Sequence, residues 1–386
     1  MIPYARHSLS EDDITAVVNA LRSGNLTQGP MVPAFERAVC NYVGSKYGVA
    51  TNSATSALHI ACESLGAKSG DVIWTSPISF VASANCALYC GASIDFVDID
   101  PQTFNICPDL LHKRLVRTKN SSQRPKILIV VHMAGQSASM DRIYELAVRF
   151  GFSIIEDASH SLGAEYNSRR VGCCEFSDIA VFSFHPSKII AAGEGGIAVT
   201  NDKELAANME LIKSHGVTRD RDLFDGPSDG DWYYQQLCLG YNYRLSDIHA
   251  ALGLSQLERI EQFLKARRAI ARHYDEQLDP EFILAPFRGE NRRSSFHLYI
   301  IKTKSPSTAV RDRLFDALVG QGIRPNVHYI PIHTQPFFRK LGFKSGDFPN
   351  AEDYYRRALS LPIFPDFPLS EASRVADIIN EEAKLP

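Results

Sequence analysis

The chain has 386 residues, 45% hydrophobic and 22% charged, a balance that sustains a large core and excludes a disordered or fibrous protein. Its net charge of −3 gives no basic field, so neither nucleic acid nor an acidic membrane is expected as a partner. MIPYARHSLSEDD has no apolar h-region and no run of about 18 apolar residues follows, so a folded cytoplasmic protein of two or three units is expected.

In chain order, EDDITAVVNALRSG reads as a helix stopped by Gly24. The turn NLTQGP follows, then a second helix over 32–43. This stretch has too few apolar residues for a core of its own. NSATSALHIACES opens with N-cap residues and continues with helical spacing of Ala57, Leu58, Ala61 and Leu65, which predicts a helix starting near Ser53.

Beyond it, short apolar runs alternate with helical stretches. They are VIWTSPI, a helix over 80–90, ASIDFVDID, KILIVVHMAG, a helix over 140–150, FSIIEDA, DIAVFSF and GGIAVT. Such alternation predicts βαβ units, and continuous runs such as ILIVV suit parallel strands covered on both faces. Residues of about 50–250 are therefore expected to form a doubly wound, mostly parallel α/β sheet. The spacing over 246–277 predicts one long connecting helix. After the polar break RGENRRSS a smaller α/β unit is expected, with HLYIIKT, a helix over 310–319, VHYIPIH and helices centred near Tyr355 and Ala376. The expected domains are 1–250 and 251–386.

The eight cysteines include no C-x-x-C and no Cys/His set at zinc spacing. Cys86 with Cys90 and Cys173 with Cys174 read as free thiols, and neither a metal nor a disulfide framework is expected.

Three segments at strand ends carry candidate chemistry, because open α/β sheets bind ligands there. The free N–H groups at the start of NSATSAL suit a phosphate, although Ser, Thr and Asn at a helix start also serve simply as caps. In IIEDASH, Asp157 ends a strand and His160 follows. Asp157 reads either as a cap or as the carboxylate that holds a proton on a pyridine nitrogen. In SFHPSKIIAAGEGG, Ser183, His185 and Lys188 precede a Gly-rich turn, and a lysine in apolar surroundings can be neutral enough to attack a carbonyl.

Asp157, then Ser183-x-x-x-x-Lys188, then Gly193-x-Gly195-Gly196 in this order resembles the DegT/DnrJ/EryC1/StrS family of sugar aminotransferases. LTQGPMVPAFE, TSPISFVASAN, VDIDPQTFNI, EDASHSLGA, GYNYRLSDIHAALGLSQL and FHLYI extend the resemblance over nearly the whole chain. It implies the type I fold of PLP-dependent transferases (aspartate aminotransferase-like) with a smaller C-terminal α/β domain, and pyridoxal 5′-phosphate (PLP) as cofactor. Lys188 would be the Schiff-base lysine and proton shuttle, Asp157 the partner of the ring nitrogen and His160 that of the ring hydroxyl. Phe80 would stack on the ring, and Ala54, Thr55 and Ser183 would bind the phosphate. Asn242 would be lent to a neighbouring subunit, which implies a homodimer with shared sites. Tyr4, Gly24, Asn25, Leu26, Thr27, Val327, His328, Tyr329 and Ile330 match positions that meet the sugar nucleotide.

Several segments look closest to the family branch serving pseudaminic acid biosynthesis. That implies transfer from L-glutamate to C4 of a UDP-linked 4-keto-6-deoxy-N-acetylhexosamine; another 4-keto or 3-keto nucleotide sugar is the alternative. A nicotinamide-dependent oxidoreductase would need a G-x-G-x-x-G turn after the first strand, which is missing. A PLP-dependent sugar dehydratase of this family would carry His where Lys188 stands.

Overall fold

The computed structural model describes residues 1–118 and 123–385. Two helices, α1 (Glu11–Arg22) and α2 (Met31–Val43), precede the main sheet. In a capping box at α1, Asp13 N–H donates to Ser10 Oγ and Ser10 N–H to Asp13 Oδ2, 3.3 and 2.8 Å.

Seven strands form the central sheet. They are β1 (Tyr47–Thr51), β2 (Val72–Thr75), β3 (Ser93–Phe96), β4 (Ile127–Val131), β5 (Ser153–Asp157), β6 (Ile179–Ser183) and β7 (Gly196–Thr200). Their order is β1-β7-β6-β5-β4-β2-β3. All pairs are parallel except those of β7, which runs antiparallel to both β1 and β6. Every residue of β4 is buried, as expected of ILIVV in a sheet covered on both faces. Helices α3 (Ala54–Ser64), α4 (Ala82–Tyr89), α5 (Pro108–Arg117), α6 (Met140–Phe150) and α7 (Lys203–Lys213) connect the strands or follow them. The helix read over 80–90 thus starts at Ala82, with Phe80 left in the loop.

The single helix expected over 246–277 is two, α8 (Asp247–Glu258) and α9 (Ile260–Gln277), meeting at Arg259 with φ −100° and ψ 5°. A tertiary anchor marks the break. Asp13 on α1 is 1% exposed and accepts hydrogen bonds from Ser255 Oγ, Gln256 Nε2 and Arg259 Nη2 at 2.6, 2.7 and 2.5 Å. This anchor docks α1, whereas α2 docks through buried Val32, Phe35, Val39 and Val43, which join the core beneath the main sheet. Asp247 secures the preceding loop by accepting from the Gly29 and Met31 amides, both at 2.8 Å.

The C-terminal unit is a three-stranded antiparallel sheet of Ile283–Leu284, Tyr299–Thr303 and Ala358–Leu361. The helices Thr308–Gly320 and Leu369–Ala383 and part of α9 share its core, which includes Tyr274, Tyr299, Leu314, Leu361 and Ile379. The first strand, Ile2–Pro3, pairs with Ile323–Arg324 and so brings Tyr4 to this unit. Among the described residues no helix is long and apolar enough to cross a membrane. All eight cysteines are free thiols.

Candidate active site

The parallel strands end on one edge of the sheet, and a cavity of about 560 Å³ opens there. Its wall includes Ala54, Thr55, Phe80, Asp157, His160, Ser183 and Lys188 from the main sheet, and Tyr4 and residues 326–330 from the C-terminal unit.

Lys188 follows β6 on a turn closed by its own N–H donating to His185 O at 2.8 Å. The turn is anchored by Phe184, fully buried edge-on against Phe35 and exchanging backbone hydrogen bonds with Gly195 and Ala192. Among the described residues no hydrogen bond or ion pair engages the Lys188 ammonium. Burial lowers its pKa from 10.5 to about 8, while the negative charge of Asp157 opposes the shift.

Asp157, 6% exposed, is the last residue of β5. Its Oδ2 accepts from Ser83 Oγ at 2.5 Å, and Ser83 in turn is 2.6 Å from Ser79 Oγ. Its Oδ1 accepts from Ser159 Oγ and N–H, 2.6 and 3.2 Å. The carboxylate is thereby fixed from α4 and from its own loop.

His160 is buried and held neutral, its pKa driven well below the ordinary value by burial and then by Lys188 and His328. The Ala134 amide donates to its Nδ1 at 3.3 Å. The proton of the neutral ring is therefore on Nε2, which donates to Tyr329 Oη at 3.1 Å. His328 is also neutral, lowered to about 3 by burial and by Lys188. Phe80, 58% exposed, presents its ring to the cavity 6.3 Å from that of Tyr329.

At the start of α3, Ser53 caps the helix by accepting from Ser56 N–H, leaving the amides of Ala54 and Thr55 without intrahelical acceptors. Gly196 opens β7 in register with both Thr51 and Ser183. A Cβ there would lie 2.4 Å from Ala54 N and 2.5 Å from Ser53 C, so only glycine lets the strand pass this close to the helix start.

Of the residues named from the sequence, the cavity gathers Tyr4, Ala54, Thr55, Phe80, Asp157, His160, Ser183, Lys188, Val327, His328, Tyr329 and Ile330. Gly24, Asn25, Leu26, Thr27 and Asn242 do not line it; they are exposed elsewhere on the same chain. Ser83, Ser159, Glu194, Asn326 and Gln335 belong to the site or support it but were not singled out from the sequence. For Ser79 and Ser83 a signal existed in their four-residue spacing. The others had none.

Residues 7–380 match the model of the DegT/DnrJ/EryC1/StrS aminotransferase family. The chain belongs to that family. It is 38% identical over 380 residues to the UDP-4-amino-4,6-dideoxy-N-acetyl-beta-L-altrosamine transaminase of Campylobacter jejuni, covering 98% of this chain and 96% of the relative. Among solved structures, PseC of Helicobacter pylori, an aminotransferase of pseudaminic acid biosynthesis, superposes with a TM-score of 0.90 at 33% identity, covering 99% and 98% of the two chains. A Streptococcus pneumoniae protein assigned as a sugar aminotransferase, in its PLP form, gives 0.91 at 28% identity over 99% and 98%.

The protein is a PLP-dependent sugar aminotransferase with the type I fold. Its cavity suits the cofactor chemically. Unpaired helix-start amides and hydroxyls offer donors to a phosphate, a seryl-braced carboxylate suits a protonated ring nitrogen, and an unengaged lysine of low pKa is the nucleophile a carbonyl needs.

Proposed function

We propose that this aminotransferase moves the amino group of L-glutamate onto C4 of a UDP-linked 4-keto-6-deoxy-N-acetylhexosamine in pseudaminic acid biosynthesis. The observation that carries this reading is the end-to-end similarity to a transaminase named for a UDP-linked 4-amino-4,6-dideoxy-N-acetyl sugar, the aminated form of such a substrate, in a chain that keeps the lysine, the carboxylate and the helix start around one cavity.

PLP, when bound, supplies the electron sink through which an amino group and a proton pass between donor and keto sugar. In this reading Lys188, whose pKa of about 8 leaves some neutral amine available near neutrality, would hold the cofactor through its amine and would move the proton at the substrate carbon. Asp157, braced by Ser83 and Ser159, would pair with the ring nitrogen. His160 would meet the ring hydroxyl through Nε2, the atom that here donates to Tyr329 Oη. Phe80 would cover one face of the ring. The Ala54 and Thr55 amides and the Ser183 hydroxyl would hold the phosphate.

Tyr4 and residues 327–330 receive the sugar nucleotide from the C-terminal unit. None of these is charged in the site, so selection rests on hydrogen bonds and stacking, which reject analogues that leave buried polar groups unpaired. Exposed Asn242 and Gly24, Asn25, Leu26 and Thr27 are assigned to the neighbouring subunit's site in a cytoplasmic homodimer. Their placement outside their own cavity supports this.

The test is incubation with nitrogen-15-labelled L-glutamate and UDP-2-acetamido-2,6-dideoxy-β-L-arabino-hexos-4-ulose, its D-xylo epimer or a dTDP-linked 4-keto sugar, followed by mass spectrometry. Label should enter the L-arabino substrate with the highest kcat/KM. Equal or better use of either competitor refutes the assignment.

A further inference from the structure

Away from the cavity, α3 and α4 bring together three donors that the amino-transfer chemistry does not use. His59 and Glu63 lie one turn apart on α3, hence on one face. Cys90 ends α4, which packs against α3. The imidazole nitrogen, a carboxylate oxygen and Sγ lie within 4.8 Å of one another. We propose that His59 Nε2, the Glu63 carboxylate and Cys90 Sγ form a binding site for one divalent zinc-type cation, with one coordination position left open.

The second observation is an unsatisfied atom. His59 is 3% exposed, yet its Nε2 has no hydrogen-bond partner and is 3.4 Å from Glu63 Oε1. A buried ring nitrogen with an ion-pair contact but no hydrogen bond is under-satisfied, and a cation between it and the carboxylate serves both. The neighbours are arranged as a metal site requires. His59 Nδ1 is 3.2 Å from Tyr243 Oη, which fixes the ring and turns Nε2 towards the other donors. Tyr241 Oη donates to Glu63 Oε1 at 2.9 Å and orients the carboxylate.

Thiolate, imidazole and carboxylate together favour zinc over magnesium or calcium, which prefer oxygen donors alone. Sequence spacing could not show this site, because Cys90 reaches α3 only through helix packing.

Occupancy would tie α3 and α4, through Tyr241 and Tyr243, to the loop that carries Asn242. These two tyrosine rings stack 4.9 Å apart on either side of that residue in the chain.

The PLP-loaded protein, freed of metal by chelation and dialysis, is titrated with Co²⁺ alone and then with Zn²⁺ alone, reading difference absorbance and bound metal by elemental mass spectrometry. One equivalent per chain is expected, with a thiolate-to-cobalt charge-transfer band that zinc abolishes. Cys90→Ser should remove the band. Cys90→Ser and His59→Gln should each weaken binding more than roughly 100-fold, and Tyr243→Phe, acting through His59, by roughly 10–100-fold. Protection of Cys90 from iodoacetamide by zinc in the unmutated protein gives the same answer should a variant fail to fold. No band, a stoichiometry or affinity unchanged in Cys90→Ser, or labelling of Cys90 unaffected by zinc overturns the proposal.

Discussion

Replacing Lys188 by methionine should abolish amino transfer and yet make the cofactor-free protein more stable at neutral pH. Met keeps most of the volume of the stem and removes the ammonium. The native pKa of about 8 against 10.5 for an ordinary lysine means that the folded state disfavours the charged form. The gap corresponds to at most ~3 kcal/mol, and discounting for the water that reaches a half-buried amine leaves about 1–3 kcal/mol.

The sign follows from linkage. Below pH 8 the amine is protonated both folded and unfolded, so the full penalty falls on the native state. Between pH 8 and 10.5 the folded protein has released its proton while the unfolded chain still holds it. The penalty therefore shrinks across that window and vanishes above it. The assay is urea unfolding of both proteins, stripped of PLP because a bound ligand would stabilise either form by mass action, at pH 7, 9 and 10.5. A variant that is less stable at pH 7, or whose advantage does not decline with rising pH, refutes the view that Lys188 is held in a desolvated, charge-averse pocket.

Asp157→Asn should retain PLP but lower kcat by roughly 100-fold or more, since the ring nitrogen loses its carboxylate; near-normal turnover, measured on PLP-saturated enzyme, would contradict that role. Gly196→Ala should cost about 1–3 kcal/mol by pushing its Cβ into Ser53 and Ala54 at the start of α3, and should weaken PLP retention, checked by thermal melting and by cofactor release on dialysis. Mixing inactive Lys188→Ala with an impaired Asn242→Ala variant under subunit exchange should restore part of the activity; unchanged activity with hybrids shown to form would mean the site is not shared.

The strands and most helices were legible because burial on a two-faced sheet or one face of a helix imposes a period on the chain. ILIVV became the fully buried β4, and Ser53 capped α3 where the polar run met the helical spacing. The order of Asp157, Ser183, Lys188 and the glycines carried the family resemblance. The break at Arg259 was invisible, because the apolar period runs through it and the break is anchored by Asp13, which lies more than two hundred residues earlier in the chain.

The site divides in the same way. Residue type and order along the sequence by themselves marked Lys188, Asp157 and the helix start as chemical groups, since Asp157 ends a strand, Lys188 lies on the turn after one and Ser53 caps a helix. The resemblance pointed to Tyr4 and residues 327–330 as substrate positions, and tertiary structure brings them to one cavity. It alone shows that Ser83 braces Asp157 from α4, and that Gly24, Asn25, Leu26, Thr27 and Asn242 lie outside their own cavity. The physical reason is range: period and capping are set by neighbours within a turn or two, whereas the depressed pKa of Lys188 and the Ser83 brace on Asp157 are set by groups that only the folded chain brings near.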